Sequence, residues 1–162
     1  MMKHYRITAV LTLMAMFCVV TAFASGTGSE KEAIALADDA MKKIVADDID
    51  GAIDLLRPHT SLDWGEYNAL SKRTAEMYRT RPAGFGDPLG YVYIKHESMS
   101  DTLLRVTFIE KCKRKPLQWD FFFYKPGQDW LLSGLTFNAA EVTMFSITLP
   151  PPPHSTPGPS QP

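Results

Sequence analysis

Cysteine is scarce in this chain: Cys18 and Cys112 are the two among 162 residues. That excludes the disulfide-dense scaffolds of small extracellular domains. Four histidines and two cysteines never fall at C-x-x-C or H-x-x-x-H spacing, so no metal-binding pattern is present and none is expected. A basic excess is missing as well, with 17 Lys and Arg against 18 Asp and Glu, which argues against a general nucleic-acid binder. There is no G-x-S-x-G, no Walker sequence and no nucleophile–base arrangement. The glycines of GFGDPLG, at 84, 86 and 90, miss the dinucleotide spacing, and no strand precedes them. No internal repeat is visible.

The one long uncharged run lies at the start, in ITAVLTLMAMFCVV. Lys3, His4 and Arg6 precede it, and Ala22-Phe23-Ala24 follows as a small-residue cleavage pattern. Together they predict a signal peptide over 1–24 and export to a bacterial periplasm or beyond. The competing reading is a retained anchor, for which residues 7–24 are at the short end of a membrane span. A lipid anchor at Cys18 fits poorly, because bulky Phe17 precedes it. Cleavage leaves 15 basic against 18 acidic residues, a net charge of −3, with Cys112 as the lone cysteine. No disulfide within the mature chain is then available, and Cys112 reads as a small buried apolar residue. About 138 residues remain, the size of one domain with its own core.

What is present is patterning. Ser29-Glu30-Lys31-Glu32 has capping-box spacing, and Ile34, Ala37, Met41, Ile44 and Val45 follow at helical intervals to about Ala46. A shorter helix is expected from Asp48 to Leu56, ended by Pro58 and weakened by Gly51. A third starts at Ser61 or Asp63, with Tyr67, Leu70, Thr74 and Met77 on one side. RTRPAGFGDPLG then breaks the helical pattern. From Tyr91 onward strand signals dominate. Leu104, Val106, Phe108 and Cys112 share a face with Glu110 as the exception, and Leu117, Trp119, Phe121 and Phe123 share another. Pro126-Gly127 fits a type II turn, and Ser133-Gly134 reads as a bulge in a last strand over 130–138. The expected architecture is α+β, with N-terminal helices packed on a curved four-stranded antiparallel meander, cone-like in shape. One domain would fill residues 25–149, with 25–28 as a flexible lead and 139–149 ambiguous between helix and edge strand. Seven of the last thirteen residues are proline, so 150–162 reads as an extended, disordered tail.

The series PLGYVYIKHE, LLRVTFIEKCKRKPLQWDFFFYKP and DWLLSGLTFN resembles a group of small exported bacterial proteins of uncharacterised function. These in turn resemble the nuclear-transport-factor-two-like superfamily. The resemblance covers roughly residues 29–138. It implies a bent sheet wrapped around three helices, with a cavity at the open end of the cone. Isomerases, dehydratases and non-catalytic binding or assembly modules share that fold, so it selects no function. No catalytic residue set transfers to this chain.

Candidate sites follow from the aromatic residues. Trp119, Phe121 and Trp130 are core rings or pocket walls, and Trp64, Tyr67 and Tyr93 are candidate rim residues of an apolar pocket. Asp120, His59, His96 and Tyr124 are the titratable names for acid–base chemistry, but nothing in the sequence brings two of them together. Strand parity sends Asp120 and Tyr124 toward solvent, opposite Trp119. Lys111, Lys113, Arg114 and Lys115 cluster at a strand turn, either as a solvated hairpin end or as a contact for an anionic partner. The sequence reads as a non-catalytic binding or interaction domain, with an isomerase-like small-molecule enzyme as the alternative. The expected partner is a small apolar ligand, another protein, or a second copy paired through the sheet. No cofactor, nucleic acid or membrane contact is expected.

Overall fold

A computed structural model describes residues 26–81 and 83–139. The expected signal peptide over 1–24, residues 140–149 and the expected tail over 150–162 lie outside the described residues. Three helices come first: α1 (Glu30–Val45), α2 (Ile49–Leu56) and α3 (Trp64–Arg79). Four strands follow, β1 (Pro88–Met99), β2 (Leu103–Cys112), β3 (Leu117–Tyr124) and β4 (Leu131–Asn138). They form one open antiparallel sheet in the order β1-β2-β3-β4. This is the α+β arrangement that segregated helical and alternating patterns require.

Each helix starts where side-chain chemistry can satisfy its free amides. Ser29 and Glu32 close a capping box on α1, and Asp63 and Glu66 close one on α3. Asp48 caps α2 by accepting from the Gly51 amide at 2.9 Å. A Cβ on Gly51 would collide with the Asp48 carboxylate. The glycine expected to weaken α2 therefore leaves room for its cap. Pro58 ends α2 as expected, within a 3-10 turn over Arg57–His59.

Alternation in the strands settles which side chains face the helices. Leu104, Val106, Phe108 and Glu110 of β2 and Leu117, Trp119, Phe121 and Phe123 of β3 are all buried beneath the helices. Phe108 and Phe121 meet edge-on at 5.8 Å, and Trp119 lies 4.8 Å from Phe137 and 5.5 Å from Tyr78. From α1, Ala33, Leu36, Ala37, Ala40, Met41 and Ile44 join this core.

Four expectations are corrected. On α3 the buried side carries Tyr67, Thr74, Ala75 and Tyr78, and Met77 is exposed. The face is rotated one residue, because Tyr78 makes polar contacts under the helix that a thioether cannot make. The β3–β4 connection is not a type II turn, since Gly127 has no positive φ. Positive φ occurs instead at Ser100 and Asp101, where Thr102 N donates to Met99 O at 3.1 Å and closes the β1–β2 turn. Two consecutive left-handed residues match the twist of a hairpin. Residues 26–28 are not a loose lead: the Thr27 and Trp130 backbones exchange hydrogen bonds of 2.9 and 2.8 Å. Asp120, expected in solvent, is buried. The expected bulge is present, as the β3–β4 register slips between Phe122 and Phe123 and leaves Ser133 unpaired.

Candidate functional site: a buried carboxylate inside and a hollow outside

Glu110 is the charged residue on the inward parity of β2, and it is fully buried. Trp119 Nε1 donates to its Oε2 at 2.8 Å. Tyr78 Oη lies 3.0 Å from its Oε1 and 3.2 Å from the Ile44 carbonyl, two acceptors for one proton. The Cys112 thiol reaches the same Oε1 at 3.5 Å. Burial and then the Glu110 charge push the Tyr78 phenol well above its usual range. The same two causes push the Cys112 thiol up to about 11. Arg81 closes the cluster from above, its guanidinium 3.9 Å from the Tyr78 ring centre and bonded to the Tyr78 carbonyl at 2.9 Å. Every oxygen of Glu110 is thus used within the protein. The sequence carried half of this signal, in a glutamate at core parity; Tyr78 could be found only by knowing the true face of α3.

The expected pocket residues divide. Trp119, Phe121, Trp130 and Tyr67 are packed into the core. The Tyr67 hydroxyl donates to the Ile53 carbonyl at 2.5 Å, and burial raises its phenol. Lys125 Nζ lies 5.6 Å from the Trp130 ring centre. Trp64 is 66% exposed at the first turn of α3, with Arg57 over its ring at 5.2 Å. Tyr93 is half exposed on β1 and touches Phe108 edge-on at 5.6 Å. Its hydroxyl lies 2.6 Å from His96 Nδ1, while His96 Nε2 lies 3.0 Å from Glu30 Oε1. His96, Tyr93 and Glu30 therefore meet, a junction of β1 with the start of α1. His59 sits apart in its 3-10 turn, and Tyr124 is exposed on the outer face.

The basic turn between β2 and β3 is tied to the loop before β1. Lys113 Nζ bonds Asp87 at 2.7 Å, and the Lys113 and Arg114 amides donate to the Asp87 and Phe85 carbonyls at 3.0 Å each. Gly86, at φ +73°, passes so near Lys113 that a Cβ would sit 2.9 Å from the lysine Cβ. Lys111, Arg114 and Lys115 remain exposed.

The outer face of the sheet carries two features. At its centre Thr107 Oγ1 donates to Asp120 Oδ1 and Gln118 Nε2 to Asp120 Oδ2, both at 2.7 Å. Toward the β1–β2 turn a hollow of about 740 Å³ opens among Met99, Leu103, Arg105, Phe122, Ser133 and Gly134. Met99, Leu103 and Phe122 are exposed there. Arg105 is held by Glu97, its Nε at 2.8 Å from the carboxylate. Gly134 stands opposite Phe122 in the β3–β4 register, so no side chain fills the space beside the ring. Two smaller hollows lie between α3 and β4 and around Arg79, Arg81 and Asp87. None of the three is lined by Glu110, Tyr78 or Trp119. Among the described residues no group of His, Cys, Asp and Glu could hold a metal ion, and no helix is long and apolar enough to cross a membrane. Comparison with protein-family models, curated proteins and solved structures finds no match to this chain.

Proposed function

We propose that this chain is an exported, non-catalytic binding or interaction domain that works through the outer face of its sheet. One observation carries the reading: the rings beneath the helices fill the interior, while the apolar hollow beside Phe122 opens to solvent. Concave, mostly apolar sites with a few placed polar groups are the usual form of a ligand or partner site. Arg105 and Glu97 would supply the polar rim. The superfamily resemblance drawn from the sequence implies sheet-face contacts as a mode of assembly. A homodimer through this face is one form the interaction can take.

An isomerase-like reading would place Glu110 and Tyr78 as acid–base partners. Its support is their 3.0 Å contact. Against it, a substrate would have to displace donors that already satisfy the carboxylate, under a stacked Arg81.

The test is fluorescence titration of the full chain with the apolar probe anilinonaphthalene sulfonate, alongside Gly134→Leu, which fills the hollow. Saturable binding abolished by Gly134→Leu, with an unchanged circular dichroism spectrum, is expected. Binding that ignores Gly134→Leu would remove the hollow as the site.

A further inference from the structure

Arg81 is a cation whose hydrogen bonds are only partly made within the protein. Its guanidinium lies against the Tyr78 ring and donates from Nη1 to the Tyr78 carbonyl at 2.9 Å. It makes no other hydrogen bond to a described residue, and its nearest carboxylate, Asp47, stands 4.0 Å from Nη2. The Arg81 side chain is 16% exposed and that of Asp47 is 79% exposed, so this ion pair is loose and lies at the surface. A guanidinium keeps its charge when drawn out of water, and its remaining donors still need acceptors. No fully buried side-chain nitrogen lacks a partner, so the unused Arg81 donors are open to water. Their opening is a polar hollow of about 380 Å³ that Arg81 lines with Arg79, Gly86 and Asp87.

The rim of this hollow is positive and fixed in place. Asp50 is taken by Arg79, and Lys113 holds Asp87 at 2.7 Å. The Lys113 bond first, and then the Arg114 and Arg81 charges, keep the Asp87 carboxyl below its usual range. Arg81 and Arg114 thus act on the same point of the rim from two segments. Arg79, Arg81, Lys113 and Arg114 face Asp47, Asp50 and Asp87, four cations against three carboxylates. Exposed Lys111 and Lys115 add to that surplus, in a chain whose net charge is −1. Backbone bonds from Lys113 and Arg114 to Asp87 and Phe85 pin the basic turn beside the hollow.

We propose that this hollow binds a small phosphate-bearing anion, anchored on the unused donors of Arg81 and flanked by Arg114. Bonds from guanidinium groups to phosphate oxygens are charge-assisted and strong. A planar carboxylate would answer one guanidinium, whereas a phosphoryl group turns oxygens toward both. The volume is at the small end of ligand sites, which run from about 300 to 1,000 Å³, and suits a phosphate ester of modest size. The site lies at the opposite end of β2 from the hollow beside Phe122, so it stands independently of the outer-face reading.

The test is a nuclear magnetic resonance titration of the isotope-labelled full chain with inorganic phosphate, against sodium chloride of equal ionic strength and pH. Saturable shifts of the Gly86 and Asp87 amides and of Arg81 Nε are expected with phosphate and not with chloride. Arg81→Gln should abolish them. Arg114→Gln, which leaves Arg81 on Tyr78, should weaken binding about two- to fivefold. Asp47→Asn should tighten it by a similar factor, because a competing carboxylate is gone; a purely structural Arg81 predicts no such gain. These two variants carry the test if Arg81→Gln does not fold. No saturable shift, equal shifts with chloride, or an affinity that Arg114→Gln and Asp47→Asn both leave unchanged overturns the proposal. Sedimentation with phosphatidylglycerol vesicles that phosphate reverses assigns the ligand to a lipid headgroup. Saturable phosphate shifts without sedimentation assign it to a free phosphate ester.

Discussion

Replacing Glu110 by alanine should cost far more stability than replacing it by glutamine. The carboxylate has no solvent contact, and it is the acceptor for the Trp119 indole at 2.8 Å, itself fully buried. Alanine strands that N–H in a dry core, a penalty of about 1–3 kcal/mol. It also leaves an unfilled space where the distal side chain stood, worth ~1–2 kcal/mol more. Tyr78 softens the loss by turning its proton wholly to Ile44, 3.2 Å away. Relief from burying a charged carboxylate offsets part of the rest. A net loss of about 2–4 kcal/mol is expected. Glutamine keeps an oxygen for Trp119 and should lose about 1 kcal/mol or less. Urea unfolding followed by far-ultraviolet circular dichroism reads both numbers without relying on the tryptophan. A cycle with Trp119→Phe should then show coupling of about 1 kcal/mol for Glu110→Ala, because the orphaned donor is gone in the double variant. Equal losses for alanine and glutamine, or strict additivity in the cycle, would show that the acceptor is immaterial and sink the account of Glu110 as a structural acceptor.

Further outcomes follow from single contacts. Gly51→Ala should fail to stabilise α2, because its Cβ expels the Asp48 cap; in an Asp48→Ala background the same change should gain about 1 kcal/mol, measured by urea midpoints. Burial and then its bond to Asp38 raise the Tyr91 phenol from 10.0 to about 12. The unfolded chain therefore loses this proton first, and the Tyr91 contribution to stability is intact below pH 10 and declines toward 12. Tyr91→Phe should flatten that decline in denaturant titrations at successive pH, and an identical slope in both proteins counts against it. With the Cys112 thiol moved from 9.0 to about 11, its thiolate fraction at pH 8 falls on the order of 100-fold. Iodoacetamide should alkylate it that much more slowly than a free cysteine peptide, and a matching rate would mean that the site opens.

Local chemistry is what the sequence by itself determined. Ser29 with Glu32 and Asp63 with Glu66 announce two helix starts, because capping needs only residues three apart. Alternation from Leu117 to Phe123 announces a strand with one face turned to the core, because the side-chain period of a strand is fixed by its backbone. Those short-range rules were enough for the α+β order, for burial of Trp119 and Phe121, and for the bulge at Ser133. Tertiary structure decided whatever depends on two distant segments meeting. Parity could mark Glu110 as an exception, but its partner Tyr78 lies 32 positions earlier and on a face of α3 that spacing alone misassigned. The same holds for Asp120, sent to solvent by parity and buried instead among Thr107 and Gln118. Parity names the side of a sheet on which a residue stands; only packing from elsewhere in the molecule determines whether water reaches that side.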